Sequence, residues 1–292
     1  MVSLNSRSRY VWAYFMIAPT LLGTLIFWGW PVIHSILLSF QQSENFGLVN
    51  HWVGFDNYAK LFRDEEFWQN LRNTLYYVVL FVPITLALST FFAVLLNTKI
   101  KGLSIYRVIF FLPQVTMPAA AAMVWVVLFA QDFGLVNHIL GTREAWLSNP
   151  NYAMFVLVIV GVWGAIGLNM LLILAGLQGI PKSLYEAADI DGAKRFHKFR
   201  YITIPMLTPT LFFTSIILFI GATQIFDSIY LIIGKTNVAL PSVRSLVYAY
   251  YQNSFVYFNP NYGAAIINVL LVINLILTGI QFALQKKWVV YD

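Results

Sequence analysis

Two things are nearly missing from this sequence: it contains no cysteine, and only 10% of its 292 residues are charged. The absence of cysteine excludes a disulfide framework and a Cys-based zinc site. Soluble domains carry about 25% charged residues. The low charge, together with 59% hydrophobic residues, therefore excludes a soluble protein. The aromatic content of 17% fits a membrane protein with Trp and Tyr at the lipid–water interface.

The sequence contains several long stretches without any charged residue. Six of them reach the length of about 20 residues that a helix needs to cross the hydrocarbon core. We therefore expect an all-α polytopic membrane protein with a single transmembrane domain, and its helices lie near residues 11–38, 74–96, 108–129, 152–177, 206–226 and 262–284. Prolines predict kinks within these helices, at Pro19, Pro31, Pro83, Pro118 and Pro209. The first stretch is longer than the apolar core of a signal peptide, so we expect it to be retained.

The distribution of basic residues predicts the orientation of these helices. The two termini and the loops at residues 97–107 and 179–201 hold 12 of the 18 Lys and Arg residues, against 4 acidic residues. The opposite side holds 6 basic and 8 acidic residues. Because basic residues concentrate in cytoplasmic loops, we expect both termini in the cytosol and a multi-pass protein of the cell (plasma or inner) membrane. The net charge of +6 thus reflects membrane topology, and no nucleic-acid partner is expected.

The six predicted helices contain no Asp, Glu, Lys or Arg. Transporters driven by ions or protons usually place ionisable groups within the membrane as relays. Their absence suggests that any transport is driven by energy that arrives from outside the bilayer.

The most polar and most basic run lies between the fourth and fifth predicted helices, at residues 183–205. Ser183 and Glu186 have the spacing of a capping box, in which each side chain bonds a free backbone N–H at a helix start. Gly192 provides a stop for that helix, and the basic stretch after it predicts a second helix that runs to Pro205. The expected structure is a helix, a glycine turn and a second helix, with exposed alanines that allow a partner to approach closely.

This run resembles the EAA loop of the membrane subunits of binding-protein-dependent ABC importers. Its sequence, EAADIDGAKRFHKFRYITIP at residues 186–205, has the family's E-A-A, its glycine and its I-x-L-P ending, with Ile204 in place of leucine. Two further stretches match, GFDNYAKLFRDEEFWQNLRNTLYY at residues 54–77 and YRVIFFLP at residues 106–113. Together they are similar, over nearly the whole chain, to the first permease of the carbohydrate-uptake branch, which includes the maltose, lactose and glycerol-phosphate systems.

The resemblance implies the fold of a type I ABC importer permease, with a helix–turn–helix coupling loop at residues 179–205. It implies a heterodimer with a second, related permease, two cytosolic ATPase subunits that bind ATP and magnesium, and an external solute-binding protein. No cofactor or metal is then expected in this chain itself. The residues expected to sit in a groove of the ATPase are Glu186, Ala187, Ala188, Asp189, Asp191, Gly192 and Ala193.

A solute path is expected in the later helices, because a sugar needs hydrogen-bonding groups and aromatic faces. The polar and aromatic candidates are Trp163, Asn169, Gln224, Asp227 and Asn268. Hydrogen bonds between helices would explain the Asn and Gln residues equally well, and both interpretations stay open. By resemblance, the sugar-binding stretches of the fourth and fifth helices fall here on small or apolar residues, namely Gly161, Gly164, Ala165, Leu168, Leu218, Ala222 and Ile225.

Two outer segments are also expected to have local structure. Residues 41–73 carry aromatic and apolar side chains every three to four residues, which predicts an amphipathic helix on the outer face. That helix would either contact a solute-binding protein or pack across the bundle. Residues 227–261 are expected to contain a re-entrant or interfacial piece.

The sequence shows no catalytic constellation, so we do not expect an enzyme. Gly234-Lys235-Thr236 has the ending of a phosphate-binding loop, but the glycine required upstream is replaced by Ile229. The prediction is a permease subunit of an ATP-driven ABC importer whose solute is, by resemblance, a sugar or oligosaccharide. The alternatives are an ion-coupled secondary transporter, a membrane assembly protein that transports nothing, and an ABC permease for another class of solute.

Overall fold

A computed structural model describes residues 6–44, 49–98 and 102–289, and the chain is almost entirely helical over that part. The chain divides into two compact units. The first comprises Met1–Asp64 and Tyr250–Val269, and the second comprises Glu65–Ala249 and Leu270–Asp292. That the whole chain forms a single transmembrane domain stays a prediction.

The first unit begins with a long apolar helix in three parts. Helix α1 (Ser6–Thr24) passes through a π-helical turn (Leu25–Gly29) into α2 (Trp30–Ser39). A two-stranded antiparallel hairpin follows, with β1 (Gln41–Glu44) paired to β2 (Val49–Trp52). The amphipathic helix expected in this segment is α3 (Asp56–Arg63), which buries Asn57 and Leu61. The hairpin is the one piece of sheet among the described residues of this unit.

Asparagine side chains hold the first unit together. Asn57 donates its Nδ2 to the carbonyl oxygens of Ser39 and Gln41, at 2.8 Å each. Asn261 donates to the Leu38 carbonyl at 3.1 Å and accepts from the Ser43 N–H at 3.1 Å. Buried amides stabilise a fold when their hydrogen bonds are satisfied, so these bonds fix where the hairpin and α3 lie against α2.

The second unit opens with α4 (Glu65–Leu96) and contains most of the long helices. Its other helices are α5 (Leu103–Val115), α6 (Pro118–Leu128), α7 (Leu135–Leu140), α8 (Ala153–Gly179), α9 (Lys182–Ile190), α10 (Arg195–Lys198), α11 (Ile204–Thr223) and α12 (Leu240–Val243). Two further helices belong to both units, α13 (Leu246–Tyr251) and α14 (Pro260–Trp288). π-Helical turns occupy Phe199–Thr203, Ile229–Ile233 and Gln252–Val256.

The predicted membrane spans are largely confirmed. Five helical stretches are long and apolar enough to cross a membrane, and they are Tyr10–Ser39, Glu65–Leu96, Ala153–Gly179, Arg195–Thr223 and Pro260–Lys287. A sixth span arises if a bent pair of helices is counted as one. The second span begins at Glu65, well before the predicted residue 74, because the polar first turns of α4 continue the same helix.

The third span differs from the prediction. We expected one helix over residues 108–129 with a kink at Pro118, but α5 ends at Val115, α6 starts at Pro118, and the two meet at 97°. A proline has no N–H to donate and its ring disfavours a helical residue before it. Met117 accordingly has an extended conformation (ψ 125°), which breaks the span instead of bending it.

Helix α8 is the central element of the second unit, and three of its glycines are points of close helix contact. A Cβ at Gly161 would lie 2.2 Å from the Tyr77 hydroxyl of α4. A Cβ at Gly167 would lie 2.1 Å from the Phe110 carbonyl oxygen of α5, and one at Gly176 would lie 2.4 Å from the hydroxyl of Thr210 in α11. Small residues allow membrane helices to approach closely. At Gly167 the backbone of α5 takes the free space, and at Gly161 and Gly176 side chains of α4 and α11 do so.

Candidate functional site

The polar loop, residues 179–205, contains the helix and glycine turn that the sequence predicts. Helix α9 ends at Ile190, and Gly192 follows in the left-handed region at φ 71°. The Ala193 N–H donates to the Ala188 carbonyl at 2.9 Å, and the Gly192 N–H donates to the Asp189 carbonyl at 3.1 Å. These two bonds form a Schellman motif, the usual way in which a glycine ends a helix. The predicted stop at Gly192 is confirmed.

Two other expectations for the polar loop are wrong. The capping box does not form, because Pro181 is the N-cap of α9 and no side chain caps it. Ser183 lies inside the first turn instead, because α9 already begins at Lys182. The second helix also does not stop at Pro205: it continues through the π-helical turn (Phe199–Thr203) into α11, so that Arg195–Thr223 forms one span.

Two contacts fasten α9 to the start of that span. Lys198 Nζ lies 2.5 Å from Asp189 Oδ1, and the two side chains are 18% and 64% exposed. The hydroxyl groups of Tyr185 and Thr203 are 3.0 Å apart and share a hydrogen bond. A displacement of α9 would therefore be passed directly to α11.

The polar loop also exposes large apolar side chains to solvent. Ile190 is 88% exposed and Phe196 is 70% exposed. Near them, a cavity of about 620 Å³ is lined by Ala188, Asp191, Gly192, Ala193, Lys194, Phe196, His197, Lys198, Tyr201 and Ile202. Glu186 and Ala187 are exposed, whereas Ala188 and Ala193 are half-buried. Large exposed apolar patches rimmed by polar residues are typical of protein contact sites.

A second concave site, here called the cleft, lies where the third span is broken. It encloses about 270 Å³ between the α5–α6 break, one face of α8, and the residues after α11. Its lining residues are Pro113, Gln114, Thr116, Pro118, Ala121, Ala122, Val160, Gly161, Trp163, Gly164, Ala165, Asp227, Ser228, Leu231 and Ile232. The Trp163 ring stands edge-on to Trp125, with centroids 5.5 Å apart.

Five of the predicted solute-path residues come together in this cleft, namely Gly161, Trp163, Gly164, Ala165 and Asp227. Trp163 is 37% exposed and offers an aromatic face. Asp227 is exposed and offers a carboxylate. A ring beside several hydrogen-bonding groups is a suitable surface for a polyhydroxylated molecule. The role of these residues in transport stays a prediction.

The other predicted path residues lie elsewhere. Leu218 and Ala222 are buried in the apolar core of the second unit and face neither the cleft nor solvent, because their side of α11 packs against α4 and α8. Asn169 is buried and donates to the Ala165 carbonyl of its own helix at 2.7 Å. In the first unit, Asn268 donates to the Ser35 carbonyl at 3.0 Å. This is a hydrogen bond between helices, the second of the two interpretations that the sequence left open. The last three predicted residues also lie outside the cleft lining. Leu168 and Gln224 are exposed, and Ile225 is half-buried.

Sequence reasoning missed Gln114, Thr116 and Ser228, the other polar residues of the cleft. A signal for the first two was present, because Pro113 and Pro118 flank them within a predicted span. Broken helices near the membrane midplane are a recurrent sign of a transport site. Ser228 carried no such signal, since it follows the end of α11 in a loop whose course only the structure shows.

Filling the cleft should hinder transport. A Cβ at Gly164 would meet nothing within 4 Å, so Gly164→Leu extends into open space without a clash. We expect uptake to fall about tenfold, because a bulky side chain removes volume from the cleft. Gly279→Leu is a matched control, since a Cβ there also meets nothing within 4 Å and Gly279 lies outside the cleft. Uptake by vesicles measures both. Equal uptake by the two variants would contradict a role for the cleft.

A set of apolar spans, one of them broken around a polar cleft, together with an exposed helix–turn–helix loop, defines a membrane transport subunit. Residues 69–290 match the family described as "Binding-protein-dependent transport system inner membrane component". The chain belongs to this family and is a permease subunit of an ABC importer, a multi-pass membrane protein that is not itself the ATPase.

Curated relatives agree with this placement. The chain is 37% identical to the probable ABC transporter permease protein YesP of Bacillus subtilis, over 99% of this chain and 95% of YesP. It is 34% identical to the sn-glycerol-3-phosphate transport system permease protein UgpA of Yersinia pestis, over 96% of this chain and 95% of UgpA. The UgpA of Agrobacterium fabrum is 33% identical, over 95% of this chain and 96% of that protein.

The fold is that of a solved importer. A chain of a bacterial ABC transporter involved in the import of the acidic polysaccharide alginate superposes with a TM-score of 0.85 at 22% identity, over 96% of each chain. The same transporter in complex with its alginate pentasaccharide-bound periplasmic protein also gives 0.85, at 21% identity, over 96% of this chain and 95% of that one. The family match and the curated relatives set aside the ion-coupled transporter and the assembly protein as alternatives.

Proposed function

We propose that this chain passes a carbohydrate or similar polyol through the cell membrane, from an external binding protein to the cytosol, with energy from two ATPase subunits. A second, related permease completes the path. ATP and magnesium bind to the ATPase subunits, and this chain holds neither. The observation that carries the proposal is the polar loop, where exposed apolar side chains surround a helix that is fastened directly to a membrane span.

The polar loop is suited to receive force from a partner. Glu186 and Asp191 make polar contacts with an ATPase groove, and Ala187, Ala188, Gly192 and Ala193 allow the two backbones to approach closely. Asp189 bonds Lys198 and so joins α9 to the fifth span. Closure of the ATPase dimer would draw α9 with it, and the Arg195–Thr223 helix would follow as one rod.

A second permease is supported by the exposure of the first span. In Tyr10–Ser39, none of the residues in the apolar window is buried. The apolar side chains of this window therefore form a surface for lipid or for another subunit. With the loops rich in Lys and Arg in the cytosol, both termini and the polar loop lie on the ATPase side.

The residues that line the cleft support a carbohydrate or polyol as the solute. Gln114, Thr116, Asp227 and Ser228 can exchange hydrogen bonds with hydroxyl groups, and Trp163 offers an aromatic face. The named relatives are consistent with such a solute, since one set is named for sn-glycerol-3-phosphate and the solved transporter imports alginate. A thermal-shift screen of the cognate binding protein would identify the ligand, and stabilisation only by amino acids or peptides would contradict the carbohydrate class.

Ile190→Asp should detach the ATPase subunits. This side chain is 88% exposed on the proposed contact surface, and buried apolar residues near the centre of an interface often contribute 2 kcal/mol or more. We expect co-purification of ATPase subunits with the tagged permease to fall at least about tenfold. Val238→Asp is the control, since Val238 is 79% exposed in a loop expected on the opposite face. Undiminished co-purification of Ile190→Asp would overturn the proposed docking surface.

A further inference from the structure

A network of side-chain bonds ties the residues around α12 to the first turns of α4. Gln69 Nε2 and Asn73 Nδ2 donate to the Pro241 carbonyl at 3.0 and 2.9 Å. Asn73 also donates to the Arg244 carbonyl at 3.1 Å, and Thr74 Oγ1 accepts from the Leu246 N–H at 3.0 Å. The bonding residues of α4 recur every three to four positions, so they form one face of the helix.

Arg244 is the charged member of this network. Its side chain is 12% exposed, and its Nη2 lies 2.8 Å from Glu66 Oε1. Its Nε donates to Asn70 Oδ1 at 3.0 Å, and Asn70 itself is buried at 1% exposure. A guanidinium removed from water is stabilised only by such charged and polar partners. We name Glu66, Asn70 and Arg244 the clasp.

One loop, residues 225–246, contains both Arg244 and part of the cleft wall. Ser245 Oγ donates to the Ile225 carbonyl at 2.6 Å and so joins the two ends of the loop. The first half of the loop contains cleft-lining residues, Asp227 and Ser228 among them. Its two halves share one apolar cluster, in which Ile232 and Val243 are both buried. A shift at Arg244 would therefore move the cleft wall.

We propose that Arg244 is a positioning residue for the cleft: through Glu66 and Asn70 it holds the loop 225–246, and with it Asp227 and Ser228, at the position that the solute meets. This inference rests on the proposed function for its consequence in transport, but the positioning itself can be measured separately. The clasp joins residues that are far apart in the sequence, Glu66 and Asn70 in α4 and Arg244 after α12.

The natural absence of cysteine allows a direct test. In the assembled transporter, single Ser228→Cys and Thr116→Cys variants each place one thiol in this chain. Both positions line the cleft and are half-buried, and they belong to different segments, the α5–α6 break and the loop after α11. Alkylation by N-ethylmaleimide is followed by mass spectrometry of this chain. Adding Arg244→Met should raise the alkylation rate of Ser228→Cys by about 5–30-fold, which is the effect of losing one or two kcal/mol of local stability. The alkylation rate of Thr116→Cys should change by less than about twofold.

Arg244→Lys keeps the charge opposite Glu66 and should restore most of the original rate and of solute uptake. An unchanged rate at Ser228→Cys in the Arg244→Met background would overturn the proposal. So would an equal rise at Thr116→Cys, because that result means general loosening of the fold. If the alkylation rates change as expected but the complex without substitutions transports no solute, the positioning role of Arg244 is supported and the proposed function fails.

Discussion

Gly192→Asp is expected to leave the chain folded and inserted in the membrane while it abolishes transport and the stimulation of ATP hydrolysis by the loaded binding protein. A Cβ at Gly192 would meet nothing within 4 Å, although its φ of 71° strains any side chain. Aspartate is among the residues that most readily adopt this conformation, so the fold should tolerate it. The new carboxylate would lie beside Asp189 and Asp191, on the surface proposed to enter the ATPase groove. Like charges brought together in an interface cost several kcal/mol, so uptake should fall at least about 100-fold.

Gly192→Asn is the matched control for this prediction. Asparagine has the same shape as aspartate and also tolerates the left-handed conformation, but it adds no charge. We expect it to keep a substantial part of the uptake, measured in proteoliposomes together with ATPase activity. A Gly192→Asp complex that still couples binding-protein docking to ATP hydrolysis would refute the role of this turn.

Gly167→Ala should destabilise the whole second unit. Its Cβ would lie 2.1 Å from the Phe110 carbonyl oxygen, 2.7 Å from the Phe110 carbonyl carbon and 2.8 Å from the Phe111 Cα. All three are backbone atoms of α5, so no rotation of a side chain relieves the clash and the two helices must separate. Overpacking of this kind costs about 1–3 kcal/mol. Thermal unfolding in detergent, followed by tryptophan fluorescence, should show a midpoint lower by about 5 °C.

Gly164→Ala provides the comparison, because it makes the same change one turn earlier in the same helix. A Cβ at Gly164 meets nothing within 4 Å, and alanine is the better helix former. Its unfolding midpoint should match or slightly exceed that of the original chain. Equal midpoints for the two variants would show that the α5–α8 contact does not limit stability.

Much of the fold could be predicted from the sequence because membrane spans depend on local properties. The run of apolar residues at 262–284 predicts a helix in this region without reference to any other part of the chain, and the helix is Pro260–Trp288. The stop of α9 was equally local, since only glycine readily takes the φ of 71° found at position 192. The capping box failed for a local reason as well, because Pro181 begins the helix two residues earlier.

The candidate sites could be predicted only in part. Trp163 and Asp227 were expected on a solute path for their chemistry. Gly164, Leu218 and Ala222 were expected there by resemblance, and the sequence offered no reason to separate Gly164 from Leu218 and Ala222, which face the core. Which side of α11 packs inward depends on how α4 and α8 lie against it. That arrangement follows from glycine contacts between helices, and no single helix contains this information.

The amino-acid sequence by itself determined the class of this protein: its apolar lengths, its scarcity of charge, the side on which Lys and Arg collect, and the polar loop with its glycine turn. These are properties of short stretches, and each stretch carries them alone. Only the tertiary structure decided the 97° break in the third span, the cleft it opens, and the pairing of Arg244 with Glu66 and Asn70. The cleft and the pairing of Arg244 depend on contacts between residues as many as 174 positions apart, and such contacts exist only once the helices have packed. Pro118 favours a break at its own position, but the sequence does not give its angle.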